Sequence, residues 1–212
     1  MGVGKADAMR TGPLGQLTDS NNLLRAVAFQ HLIRDSQPVT PEQLAEAGGF
    51  DLERTTSMLE ELDRAGRIRR DGTGRVVGSA GLSVIPDRHQ IELNGRTFWT
   101  WCAYDILGIF GALRADGDAR SPSPPDLTVI ELRFLGGRPR HADAVLFRPA
   151  EDLMSRCNNV YEEWCPNSNL FASRKLAQAW ADEHQLAGRV LSLEEASALA
   201  TQEWRDVVGA LE

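Results

Sequence analysis

A thiol and a carboxyl stand three residues apart in Trp99-Thr100-Trp101-Cys102-Ala103-Tyr104-Asp105-Ile106-Leu107. On a helix that spacing places both on one face. A cysteine at a helix N-terminus meets unpaired backbone N–H groups, which favour its thiolate. Cys102 and Asp105 therefore read as a nucleophile beside a proton donor. A second thiol, Cys165, lies in Glu163-Trp164-Cys165-Pro166-Asn167, so far along the chain that only folding unites it with the first. Each of these cysteines follows a tryptophan, which predicts a sheltered, apolar setting. Two thiols and a carboxyl in such a pocket suit a soft, thiophilic metal ion rather than a hard cation. Zinc takes four ligands, commonly in close Cys/His pairs, whereas Cys157 and Cys165 are eight residues apart with no histidine close by. Protease-like catalysis needs a base such as histidine held beside the thiol. His31, His89, His141 and His184 are scattered without a motif and read as surface or core residues. A plain alternative stays open, because free cysteine is often a small buried hydrophobe. Cys157 is read as structural.

The elements that must position this group follow from turn and cap signals. Gln90 to Trp101 reads as two strands around Asn94-Gly95, the dipeptide suited to a turn with positive φ at both central residues. Ala103 to Leu113 is expected to be helical, so Cys102 falls where a strand gives way to a helix. Upstream, Asn21 to Asp35 carries apolar residues at helical spacing. A second helix starts at Thr40, with Pro41 in its first turn and Gln43 completing a capping box. A third runs from Leu52 to Ala65 and stops at Gly66. Ile68 to Val77 then forms a hairpin around Asp71-Gly72-Thr73-Gly74. Three helices and a hairpin are the layout of a winged helix-turn-helix, whose usual role is DNA binding. Residues 16–80, however, hold ten acidic and eight basic side chains, and the third helix carries Glu53, Glu60, Glu61 and Asp63. Arg67, Arg69, Arg70 and Arg75 cluster near the hairpin and could meet phosphate. The preferred reading is a scaffold that packs on the rest of the chain.

Downstream, Arg120 to Pro125 is expected to be an irregular Ser/Pro loop. Thr128 to Phe134 and Ala144 to Phe147 are expected to pair as strands across Gly136-Gly137. Pro149 to about Glu163 suits a helix, broken by Pro166 to Asn169. Ser173 to His184 is a further helix closed by Gly188, and Arg189 to Leu191 a short strand. Ser192 and Glu195 cap a last helix running towards Leu211. The fold class is thus α+β: an N-terminal winged-helix-like three-helix unit packed on a mixed, mainly antiparallel sheet with helices. The expected division is a flexible polar tail (1–18), the winged-helix-like unit (19–80) and a catalytic domain (81–212).

The totals bound the function. At 212 residues, with 42% hydrophobic and 25% charged residues, the chain is an ordinary globular one. A net charge of −7 argues against bulk electrostatic binding of nucleic acid. No apolar run is long enough to span a bilayer. Met1 to Leu17 lacks the apolar stretch of a signal peptide. Three cysteines, an odd number, make no secreted disulfide framework. A cytoplasmic location is the expectation.

Arg96-Thr97-Phe98-Trp99-Thr100-Trp101-Cys102-Ala103-Tyr104-Asp105-Ile106-Leu107 resembles a segment of the organomercurial (alkylmercury) lyases. The resemblance continues at Trp164-Cys165, at Leu170-Phe171-Ala172-Ser173 and in the Trp180-Ala181 helix. The ordered set is far more specific than any one piece. The family commonly has Leu in place of Tyr104, and an aromatic, His-containing segment in place of Pro166-Asn167-Ser168-Asn169-Leu170. The resemblance implies protonolysis of a carbon–mercury bond to hydrocarbon and Hg(II). Cys102 would capture the organomercurial, Asp105 would handle protons, and Cys165 would help to hold the Hg(II) product. It implies no organic cofactor, mercury being substrate and product, and free thiols or a mercuric reductase as acceptors of Hg(II). Trp99 and Trp101 read as core aromatics before pocket walls. Two rivals remain from the sequence: a metal- or ligand-responsive regulator using the winged helix on DNA, and a diverged relative with other thiol chemistry.

Overall fold

The computed structural model describes residues 19–140 and 143–208. The expected N-terminal tail, His141 and the end of the last helix lie outside the described residues. Three helices open the described chain: α1 (Asp19–Asp35), α2 (Pro41–Gly48) and α3 (Leu52–Arg64). Thr40 caps α2 through the expected reciprocal pair with Gln43, and Asp51 caps α3 by accepting from the Arg54 N–H. Leu24 to Phe29 are all buried, so the middle of α1 is enclosed on every side while its ends reach solvent.

Strands β1 (Ile68–Arg70) and β2 (Val76–Ser79) form the expected hairpin. It is no free wing, because β2 also pairs with β3 (Leu82–Ser83), and Val39 bridges to Val76. The sheet continues through β4 (His89–Leu93) and β5 (Arg96–Thr100), joined by Asn94-Gly95 with both φ angles positive. After helix α4 (Ala103–Leu113) come β6 (Gly117–Ser123), β7 (Thr128–Leu135) and β8 (Arg138–Arg140). These make an eight-stranded sheet in the order β1-β2-β3-β5-β4-β6-β7-β8, with every pairing antiparallel.

Ala103 to Phe110 of α4 are all buried, which makes α4 the central helix. It packs against α7 (Leu193–Val208), whose Trp204 Nε1 donates to the Ala80 carbonyl at 3.0 Å. A second, three-stranded sheet places β9 (Val145–Pro149) between β10 (Asn169–Phe171) and β11 (Gly188–Ser192). Helices α5 (Glu151–Arg156) and α6 (Arg174–Glu183) complete the chain.

Four expectations fail here. Arg120 to Ser123 is strand, not loop, because beyond Arg120 only β7 pairs with β6, and an edge tolerates Pro122. The Thr128 strand pairs with β6 and β8, while the Val145 strand belongs to the other sheet, so the two do not pair. The helix expected over 149–163 ends at Arg156. A π-helical turn (Val160–Trp164) and a short 3₁₀ turn (Cys165–Asn167) follow it. Helix α6 ends at Glu183, and Gly188 opens β11 instead of closing the helix.

Candidate active site

Cys102 is the N-cap of α4, in extended conformation (φ −144°, ψ 168°). Its backbone N–H donates to Asp105 Oδ2 at 2.7 Å, so the carboxylate three residues on closes back over the helix start. Thr100 Oγ1 donates to the Cys102 carbonyl at 3.0 Å and fixes the end of β5. Cys165 arrives on the 3₁₀ turn after the π-helical turn. The Ala103 N–H donates to the Ser168 carbonyl at 3.1 Å, and the Ser168 N–H to the Cys165 carbonyl at 3.2 Å. Those two bonds tie the segments carrying the two thiols. The ligand atoms of Cys102, Asp105 and Cys165 all lie within 4.8 Å of one another, and all three side chains are buried.

Burial decides the protonation states. It holds the Cys102 thiol well above its ordinary range, reinforced by a hydrogen bond with Cys165 and by the charge of Asp105. Burial thus favours the thiol here over the thiolate expected at a helix N-terminus. Burial also raises the Asp105 carboxyl to about 7, against the opposing hydrogen bonds from Cys102. At neutral pH this carboxyl can hold or release a proton.

Gly81 makes the approach possible. It has φ +84°, and a Cβ there would collide with the Asp105 carboxyl. Its carbonyl accepts from the Trp101 N–H at 3.0 Å. A cavity of about 10 Å³ lies beneath the carboxyl, bounded by Arg25, Arg67, Gly81, Trp101, Asp105 and Cys165 among others. That is room for about one water, so any organic ligand must displace part of the lining. Arg25 Nη1 and Trp101 Nε1 are buried there without a hydrogen-bond partner among the described residues.

A larger groove of about 520 Å³ lies outside, between α3, β1 and the π-helical turn. Gly66 lines both spaces. Across the seam, the Val160 N–H donates to the Ala65 carbonyl at 3.0 Å, and Asn159 Nδ2 to the Arg64 carbonyl at 3.3 Å. Tyr161 stacks between the Arg69 and Arg88 guanidiniums, each 4.2 Å from its ring, and meets the edge of Trp101.

The remaining sequence candidates fall elsewhere. Cys157 is half-buried and its Sγ donates to the Met154 carbonyl, outside the cluster. Trp101 lines the cavity, whereas Trp99 sits half-buried on β5. His31 contacts Arg34 and Asp35, His89 is buried against Ser121, and His184 stacks on Trp180. Reasoning from sequence missed Arg25, Gly81 and Trp204, and read Arg67 as a phosphate contact rather than part of this cavity. The one available signal was Arg25 itself, a charge among the apolar residues of α1.

The chain matches the family model for alkylmercury lyase over residues 82–204. It is similar to the alkylmercury lyase of Bacillus cereus, 32% identical over 174 residues, covering 79% of this chain and 75% of that one. It is 28% identical to the Staphylococcus epidermidis alkylmercury lyase over 196 residues, 87% of this chain and 86% of the other. Among solved structures it resembles the crystal structure of the mercury-bound form of MerB2. The TM-score is 0.78 at 28% identity, covering 92% of this chain and 95% of that one.

Proposed function

The chain belongs to the alkylmercury lyase family, and from that premise we propose that it cleaves carbon–mercury bonds by protonolysis with Cys102, Asp105 and Cys165. The observation that carries this reading is the meeting of two sulfurs and one carboxylate within 4.8 Å in a buried pocket. In the proposed sequence, Cys102 Sγ bonds to the mercury of R–Hg–X as X⁻ leaves, and the thiol proton passes to the Asp105 carboxylate. Metal binding to a thiol releases its proton, so a resting thiol is no obstacle. That proton departs with X⁻. Cys165 Sγ then bonds to mercury and gives its proton to Asp105, which delivers it to the carbon as the Hg–C bond breaks. The balance is R–Hg–X plus two thiols giving RH, HX and a dithiolate of Hg(II). Asp105 ends as it began, and its pKa of about 7 matches a group that must both take and give a proton at neutral pH.

Two external thiols, or the thiols of a mercuric reductase, would carry Hg(II) away and return the protons to Cys102 and Cys165. No organic cofactor has a part in this scheme. In it, residues 19–80 supply scaffold and residues 81–212 the three reacting groups. A role on DNA is disfavoured by the partners of the hairpin arginines. Arg69 pairs with Asp87, Arg70 with Asp63 at 3.2 Å and Arg75 with Asp71 at 2.8 Å. Helix α3 meanwhile exposes Glu53, Glu60 and Glu61. No helix among the described residues is long and apolar enough to cross a membrane.

The test is anaerobic turnover of phenylmercury with excess thiol, following benzene. Release by the wild type, lost in both Cys102→Ser and Cys165→Ser, supports the reading. Absence of benzene with intact Hg(II) binding would replace it with a binding role.

A further inference from the structure

The inner cavity, at about 10 Å³, holds a single water, so part of its lining must move before an organomercurial can reach the sulfurs. Ala80, Gly81, Trp101, Asp105 and Trp204 are buried in the packed centre of the fold. Val160 comes instead from the irregular turn after α5, whose Asn158, Glu162 and Glu163 are exposed. Segments with few buried contacts open most easily. The seam between this turn and the α3–β1 corner is also thin. Gly66 lines both spaces; Val160 lines the cavity, while Asn159 and Tyr161 on either side of it line the groove. Gly66 has φ +64°, and a Cβ there would collide with Asn159 Oδ1 and crowd the Tyr161 backbone nitrogen. Tyr161 fastens the seam from the sheet side. Its ring lies between the Arg69 and Arg88 guanidiniums, and its hydroxyl donates to Asp87 Oδ1 at 3.2 Å. The Asp87 side chain, 2% exposed, also accepts from Arg69 and from the Arg88 N–H. Asp87 therefore stays satisfied when Tyr161 lets go.

We propose that Tyr161 is the latch of a gate between groove and cavity, through which the organomercurial enters and the hydrocarbon leaves. The identity of the ligand rests on the lyase reading, and the rest on the geometry of the seam. Opening swings residues 159–161 away from Gly66 and breaks the two hydrogen bonds to the Ala65 and Arg64 carbonyls. Cys165 stays behind, tied to the start of α4 through Ser168. The cavity then runs into a groove of about 520 Å³, which has room for an organic group. The groove supplies room rather than affinity, so its exposed charges take no part. Closure afterwards shuts water out of the buried site.

The test is stopped-flow uptake of phenylmercury, followed by the ultraviolet mercury–thiolate absorbance. A Cys157→Ser background leaves only the two buried thiols to react. With Tyr161 in place, the uptake rate should rise with phenylmercury concentration to a plateau set by opening of the gate. Tyr161→Ala, which loses the stacked ring and the bond to Asp87, should raise that plateau by about fivefold or more. Gly66→Ala, which presses on the seam from the other wall, should raise it as well. If Tyr161→Ala fails to fold, Tyr161→Leu carries the same test. Low concentrations of urea should leave each plateau nearly unchanged, because a local opening exposes little surface. A rate that climbs without a plateau when Tyr161 and Gly66 are both intact overturns the inference. So does a folded variant at either position with an unraised plateau, or a plateau that rises steeply with urea, which would mark general unfolding. Uptake is read before any Hg–C bond breaks. Gated uptake without benzene release by the wild type would therefore sink the lyase reading and leave the gate standing.

Discussion

The outer groove and the inner cavity share Gly66 and differ in almost everything else. The groove encloses about 520 Å³, has the size of a small-molecule site, and is lined by charges. Two of its arginines are already answered, Arg70 by Asp63 and Arg69 by Asp87, and Glu60, Arg64 and Glu162 are exposed to solvent. The cavity holds about 10 Å³. Around it stand the Cys165 thiol, with Cys102 close behind it, a carboxyl raised to about 7, and nitrogens of Arg25 and Trp101 buried without partners among the described residues. Free volume marks the first and unspent chemistry the second. Solvated, mutually paired charges have little left to offer a ligand, whereas desolvated groups respond strongly to one.

The sharpest way to break this contrast is to remove the thiols. Cys102→Ser and Cys165→Ser should each lower turnover on the order of 10³-fold or more, since residues acting as a unit fail together. A single serine variant with near-normal hydrocarbon release would remove the cavity from the chemistry. Gly81→Ala comes next. Its new methyl must displace the Asp105 carboxyl, and a misplacement of about 1 Å costs about 10²-fold. The assay is kcat of the folded variant, and an unchanged kcat would show that the carboxyl need not sit where it does.

A smaller effect separates the cavity through pH. Asp105 has its folded pKa raised from 3.8 to about 7. Its contribution to stability is therefore fully present below the ordinary carboxylate value and is lost as pH rises towards 7. Asp105→Asn mimics the protonated form. It should melt close to the wild type at pH 4 and higher than the wild type at pH 8, by roughly 5 °C or more. Equal melting temperatures at both pH values would contradict the buried, raised carboxyl. Taking the difference between variants removes the opposite trend from His89, whose burial lowers it to about 3. The smallest effect belongs to the groove. Glu60→Ala and Arg64→Ala should leave turnover within about twofold, as exposed charges contribute little. A tenfold loss in either would give the groove a role.

Much of the inner site was legible because its signals are local. Cys102 and Asp105 are linked by helical spacing, and Asn94-Gly95 sets the hairpin that delivers them. Cys165 entered on its tryptophan and on the family resemblance, because no local pattern joins it to Cys102. The link is a backbone bond from Ala103 to the Ser168 carbonyl, which no side chain announces. The raised pKa of Cys102 escaped the sequence for a related reason. A helix N-terminus can be read from sequence, but the complete burial of Cys102 cannot. Pro122 and Pro124 suggested a loop, yet an edge position lets Pro122 sit in β6. The Val145 strand was assigned to its sequence neighbour, and only long-range pairing with β10 and β11 places it in a second sheet.

The most direct measurement is a single turnover of phenylmercury by Asp105→Asn beside the wild type, with bound mercury and released benzene followed together. The account predicts that the variant still takes up mercury on its two thiols while benzene release slows by about 10²–10⁴-fold. Benzene released at the wild-type rate would contradict it, because the proton would then reach carbon without the carboxyl that the fold buries beside the two sulfurs.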